Sequence, residues 1–210
     1  GYLPETVNNY LLRLGWGHGD DEIISSAQAI EWFTLEAVGR SPSRFDLAKL
    51  ENLNGHYIRE ADDERLTGLV IASLGNVDEV GRSRILKGMN GLKQRAKTMV
   101  ELTENAAFYT AAVPLTFTEK ARNLLTEEAL SHLAALTADL EAIPEWNEEA
   151  IEQAVRAVAE KADIKLGKLA QPLRAALTGS AVSPGIFEVA AVLERAETLA
   201  RLKAVCGTAQ

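Results

Sequence analysis

Two stretches of the chain hold residue types that could bind a polyanion. From Val80 to Val100 there is no Asp or Glu, yet there are six basic residues: Arg82, Arg84, Lys87, Lys93, Arg95 and Lys97. From Ile164 to Phe187 there is again no acid, and the stretch carries Lys165, Lys168 and Arg174. Neutralising phosphate needs local positive charge. The chain as a whole opposes it, with 22 basic residues against 30 acidic ones and a net charge of −8. An acidic body with two acid-free stretches suits a protein that binds a polyanion at chosen places and repels it elsewhere. The plain alternative is two partly buried helices that avoid acids. On a helix Arg84, Lys87, Arg95 and Lys97 cannot share one stripe, but a bend near Gly88–Gly91 would regroup them.

The second stretch contains Arg174 followed by Ser183-Pro184-Gly185-Ile186-Phe187. A Ser-Pro-Gly helix start presents free backbone N–H groups without side-chain bulk, and these can bond a phosphate or a base edge. Ile186 could pack on a base. The structural alternative is that Ser183-Pro184 only caps a helix and Gly185 permits close packing.

Catalytic machinery is hard to find. There is no glycine-rich phosphate loop of the P-loop or Rossmann kind. His18, His56 and His132 are isolated in sequence, and none has metal-ligand spacing with another His or Cys. His18 sits in a tight turn, Trp16-Gly17-His18-Gly19-Asp20-Asp21, where a bond to backbone is the expected role. Cys206 is the single cysteine, so no intrachain disulfide can form, which fits a cytoplasmic protein. The site assignment therefore contains no catalytic residue and no metal.

The elements that must position these residues read as helices. Pro4 opens the first, which stops at Gly15. Ser25 and Gln28 form a capping box before Ala29, Ile30 and Phe33. Ser41-Pro42-Ser43 breaks the chain, Asp46 starts a helix through Tyr57, and Asp62–Leu74 is another. Val77–Thr110 is long and amphipathic, weakened at Gly88 and Gly91. Thr118 and Thr126 cap two consecutive helices reaching Ala142, and Ile143-Pro144-Glu145-Trp146 is a linker. Asn147 caps a helix whose apolar residues Ile151, Val155, Val158 and Ala162 share one face. Lys168–Leu177 follows, stopped near Gly179. Ser183-Pro184 should cap and open a short helix, and a last helix runs to about Val205. No alternating strand pattern appears, so the fold class is all-α.

The length of 210 residues allows one large or two small domains. With 47% hydrophobic residues a core can be buried, and no apolar run approaches the length of a membrane span. The chain opens directly into a helix pattern without a Met, which reads as the boundary of a longer protein or a processed end.

Several segments resemble bacterial glutamyl-tRNA synthetases. Gly1-Tyr2-Leu3-Pro4-Glu5, Asn9-Tyr10-Leu11-Leu12-Arg13-Leu14-Gly15-Trp16 and His18-Gly19-Asp20 are similar to the segment after that family's KMSKS-type ATP loop. Ser41-Pro42-Ser43-Arg44-Phe45-Asp46 and Lys49 to Arg59 resemble its stem-contact region. Gln171-Pro172-Leu173-Arg174 to Gly179 and Ser183-Pro184-Gly185-Ile186-Phe187-Glu188 resemble a signature near its carboxyl terminus. The matches run in family order along the chain.

The resemblance implies a stem-contact region over 1–66 and a two-part helical cage, with one anticodon-binding subdomain over 67–143 and a second over 144–210. It implies that Arg174, Ala181, Ser183, Pro184 and Ile186 meet the first two anticodon bases, with Arg95 or Arg84 at the third. Arg82, Lys87, Lys93, Lys97, Lys165 and Lys168 would meet the tRNA backbone. The partner implied is tRNA(Glu), with the catalytic domain in cis, in a monomer. No cofactor is expected in this chain, because ATP and Mg belong to the catalytic domain. The HIGH-like motif and the KMSKS loop are not in this sequence, so the chain alone is expected to be inactive. The competing reading is a helical protein-interaction module that does not bind tRNA; a helical enzyme with an unrecognised site is a third.

Overall fold

The computed structural model describes residues 1–40 and 42–207, so Ser41 of the predicted Ser41-Pro42-Ser43 break lies outside the described residues. Every regular element among them is helical, as the sequence pattern requires.

Helix α1 (Pro4–Gly15) starts with Pro at its first position, where a missing N–H costs nothing. Helix α2 (Ser26–Trp32) has the predicted capping box: Gln28 N–H donates to Ser25 Oγ, and Ser25 N–H donates to the Gln28 side chain. Its apolar residues do not enter a core, since Ile30 is 83% exposed. Helix α3 (Leu47–Glu60) is tied to α1 by Tyr10, whose hydroxyl donates to Asp46 O (3.0 Å) and accepts from Asp46 N–H (2.6 Å). Buried Asn54 joins three distant segments. Its Oδ1 accepts from Leu3 N–H at 2.8 Å, and its Nδ2 donates to Lys97 O at 2.6 Å and to Gly1 O at 3.4 Å.

Helix α4 (Asp63–Leu74) leads into the long amphipathic segment. That segment is divided into α5 (Glu79–Lys87), α6 (Met89–Lys93), α7 (Met99–Ala106) and a 3-10 turn over Ala107–Tyr109. The predicted break falls at Gly88, where a Cβ would lie 2.5 Å from the hydroxyl of Tyr109. A second break, at residues 94–98, ends in Thr98, whose hydroxyl caps α7.

Helices α8 (Glu119–Leu124), α9 (Glu127–Ala142) and α10 (Glu148–Lys161) are capped by Thr118, Thr126 and Asn147, the residues expected. Helix α11 (Leu166–Thr178) starts two residues before the predicted Lys168 and holds Pro172 inside it. It stops at Gly179 in the left-handed region (φ 71°), where a Cβ would collide with the Thr116 carbonyl. The two helices expected at the end of the chain form along α12 (Ile186–Gly207) and are separated by a non-helical residue. That residue is Glu194 (φ 68°, ψ 164°), and the carbonyl of Ala190 accepts from Trp146 Nε1 and from the Thr198 hydroxyl, both at 3.1 Å.

Packing divides the chain differently from the expected boundaries. Residues 66 and 67 both lie inside α4, so the 66/67 boundary would cut a helix. Helix α9 packs on α10, α11 and α12, and α8 packs on α11, while α4 packs on α5, α6 and α7. The division between the two bundles therefore lies in the segment 110–118, before α8, not at the 143–146 linker. That linker is held inside the second bundle: Trp146 bonds α12, and Arg195 of α12 donates to Ile143 O at 2.6 Å and stacks over the Trp146 ring. One continuous core, from Leu3 through Leu102 and Leu136 to Leu202, runs through both bundles.

Candidate nucleic-acid interface

Most of the basic residues between 82 and 97 are already answered by the fold. Arg82 pairs with Glu64 (2.5 Å) and Lys93 with Asp63 (2.7 Å), both on α4. Lys87 pairs with Glu194 (3.1 Å) and Arg84 with Glu197 (3.5 Å), both on α12. Lys97 Nζ donates to the Asn52 side chain at 3.0 Å. The stretch lacks acids in sequence because its acids come from other helices.

Arg84 sits deepest. The Glu197 carboxylate also holds buried Arg201 (2.7 Å), which donates onward to Leu177 O (2.6 Å) and Ala111 O (3.1 Å). This places Arg84 in the seam between the bundles rather than on an open surface. Arg95 is different. It is exposed, and no ion pair reaches it among the described residues.

Arg174 projects from α11 toward the segment before α12. Its Nη1 donates to Ser183 O (3.0 Å), Ser183 Oγ (2.6 Å) and Pro184 O (2.8 Å). Ser183 is therefore not the helix cap that its sequence suggests. Its side chain is buried against the guanidinium, and the first α12 turn is closed instead by Val189 N–H donating to Gly185 O. Arg174 is half-buried, and among the described residues its Nε and Nη2 make no hydrogen bond. Burial, and then the nearby Arg95 charge, push its pKa down from the usual arginine value. The two guanidinium groups are thus near enough for one charge to act on the other. One is fixed by a built elbow of backbone, and the other stands free beside it. Such a pair suits an anion or an exposed base edge.

Of the remaining predicted residues, Pro184 and Ile186 are buried and Ala181 is half-exposed, next to Val182 at 68% exposed. Lys165 and Lys168 are exposed but not part of this region. Lys168 lines a cleft of about 390 Å³ with Asn123, Thr126, His132 and Gln171, facing α8 and α9.

Sequence reasoning missed Glu188. In the first turn of α12, its carboxylate lies against Gly91 of α6, and a Cβ on Gly91 would be 2.6 and 2.8 Å from its two oxygens. In sequence Gly91 weakens a helix, and a glycine there is also a signal of close approach. The turn at His18 forms as expected, with Asp21 N–H donating to His18 O at 3.2 Å. The His18 Nδ1 meets the Asp21 carboxylate at 3.1 Å, and its ring stacks on Trp32 at 4.2 Å.

A second cleft, of about 640 Å³, lies between α1 and α3, lined by Tyr10, Arg13, Glu22, Arg44, Lys49 and His56 among others. No helix of the described residues is long and apolar enough to cross a membrane.

The family model described as the anticodon binding domain matches residues 47–206, a span that includes Arg95, Arg174 and the elbow. The chain belongs to the anticodon-binding domain family. Its relatives include a glutamate–tRNA ligase 2 of Parvibaculum lavamentivorans, 57% identical over 97% of this chain and 42% of the relative. A glutamate–tRNA ligase 1 of Sphingopyxis alaskensis is 59% identical over 97% of this chain and 43% of the relative. A crystal structure of a glutamate tRNA ligase from Elizabethkingia meningosepticum in complex with its amino acid superposes with a TM-score of 0.85 at 26% identity, covering 100% of this chain and 42% of that one. The chain thus spans less than half the length of the relatives it matches. This anticodon-binding domain presents Arg95 and Arg174 from different bundles, which touch at the α5–α12 ion pairs and where Glu188 meets Gly91.

Proposed function

We propose that this chain is the tRNA-reading part of a glutamate–tRNA ligase, which joins glutamate to tRNA(Glu) at the expense of ATP. The observation that carries this reading is the pairing of a free Arg95 with an elbow-bound Arg174, in a chain whose family is defined by anticodon binding. In it, Arg174 and the Ala181–Ile186 segment receive the first two anticodon bases. Arg95 rather than Arg84 receives the third, because Arg84 is held by Glu197. Single-stranded bases can be splayed against such groups and read on their edges. Arg82, Lys87 and Lys93, being paired, serve the fold first; Lys97, Lys165 and Lys168 remain candidates for backbone contact. ATP and magnesium are held by a part of the protein outside this chain, which works as a monomer in the cytoplasm.

The test is binding of the chain to a glutamate-tRNA anticodon stem-loop at low salt, beside a loop with an altered anticodon and an Arg174→Ala variant. Preferential binding of the glutamate loop, weakened about 10- to 100-fold by Arg174→Ala, is the expected result. Equal binding to every loop, or none, would favour a protein-interaction module instead.

A further inference from the structure

The two cations of the interface come from different bundles, so something must set the distance between them. The ion pairs Arg84–Glu197 and Lys87–Glu194 join the bundles through α5, and a separate contact joins them through α6. Gly91 of α6 lies against Glu188 and Pro184: a Cβ there would be 2.6 Å from Glu188 Oε1, 2.8 Å from Oε2 and 2.9 Å from Pro184 Cβ. On the other side of the same carboxylate lies Gly185, whose Cβ would be 3.6 Å from Oε2. Glu188 is thus wedged between the backbone of α6 and the elbow whose carbonyls Arg174 binds.

Arg95 follows Gly91 by four residues and stands close enough for its charge to act on both Arg174 and Glu188. Burial, and then the Glu148 charge, push the Glu188 carboxyl above its usual range; the Gly91 N–H and Arg95 oppose this. A carboxylate kept in a place that disfavours its charge does not owe its position to solvation.

We infer that Glu188 is a positioning residue: by packing against α6 at Gly91, it holds Arg95 at the distance from the Arg174 elbow that lets both engage one nucleic-acid loop. This rests on the proposed anticodon reading. Gly91 is part of the device, because a side chain there would displace the Glu188 carboxylate and press on the Pro184 ring.

The experiment is a set of mutant cycles on the whole chain, reading the dissociation constant for the glutamate-tRNA anticodon stem-loop together with Tm. In the wild-type background Arg95→Ala is expected to weaken binding about tenfold. In a Glu188→Ala background the same change should cost less than about twofold, because Arg95 is no longer aimed. Arg174→Ala should keep most of its cost in both backgrounds. Gly91→Ala, which attacks the contact from the other side, should behave like Glu188→Ala, and Glu188→Gln should be intermediate while folding at least as well as wild type. A role in stability alone would lower Tm and leave the Arg95→Ala cost unchanged, and that outcome overturns the inference. So does an Arg95→Ala without effect in a wild-type chain that still prefers the glutamate loop. A wild-type chain that ignores the anticodon instead defeats the functional reading, and this inference falls with it.

Discussion

At the residue scale, Arg174 does two jobs with one side chain. Three acceptors converge on its Nη1, while Nε and Nη2 remain for a ligand. Arg174→Ala should therefore lower stability as well as binding. It leaves the Ser183 carbonyl without its donor and removes one of two donors from the Pro184 carbonyl, which keeps Ser183 Oγ, at a cost of about 1–3 kcal/mol, measurable by denaturant unfolding. Arg174→Lys should recover only part of either effect, since a single ammonium cannot copy the planar fork. Two carboxyls give pH signatures of opposite sign. Glu5 accepts from both Nη1 (2.6 Å) and Nη2 (3.1 Å) of Arg65, and this pairing lowers its pKa. A carboxyl with a lowered folded-state value adds stability that is present above its unfolded value and lost as pH falls through the folded one. Glu5→Gln should thus flatten the acid limb of a Tm-versus-pH curve, below about pH 4.5. Glu188 is shifted upward, so its protonated form is favoured in the fold. Its contribution is present below the unfolded value and lost as pH rises through the folded one. At neutral pH Glu188→Gln should leave Tm unchanged or higher; a clear fall in Tm would contradict this assignment.

At the element scale, local chemistry was legible and long-range pairing was not. Ser25, Asp46, Thr118, Thr126 and Asn147 could be read as caps because a capping side chain bonds within its own first turn. Gly88 and Gly179 could be read as interruptions for the same local reason. The role of Ser183 could not, because its partner Arg174 lies nine residues away on another helix and outcompetes the cap. The acids that neutralise Arg82, Arg84, Lys87 and Lys93 come from α4 and α12, and no composition window along the chain could show them. The break between the last two helices was legible, but its place at Glu194 was not. Glu194 has φ 68° and ψ 164°, a region nearly reserved for glycine, which costs of order 1–3 kcal/mol. It is retained where the break lets Trp146 and Thr198 bond the Ala190 carbonyl and brings Glu197 to Arg84. Glu194→Gly relieves that strain and gives up only an exposed pair with Lys87, worth at most about 1 kcal/mol. Tm should rise by about 2–4 °C. A fall would mean that the Glu194–Lys87 contact holds the bundles together more strongly than its exposure suggests.

At the scale of the whole molecule, net charge and local charge point in opposite directions, and their balance decides how binding depends on salt. The chain carries −8 overall, and its ion pairs consume most of the basic stretch 82–97, so few cations are left to displace counterions from RNA. If Arg95 and Arg174 supply the phosphate contacts, two single-strand contacts predict a log–log slope of affinity against salt near −1.4. Recruiting Lys97, Lys165 and Lys168 as well would steepen it to about −3.5. The slope therefore counts the cations in use. Measured for the anticodon stem-loop between 50 and 200 mM salt, a slope near −1.4 that flattens by about 0.7 in Arg95→Ala assigns the contact to the free guanidinium beside the elbow. A steep slope untouched by Arg95→Ala but reduced by Lys165→Ala or Lys168→Ala would move the interface to the α8–α9 side of the second bundle. In that case Arg174 would serve the fold through its bonds to Ser183 and Pro184 rather than the RNA.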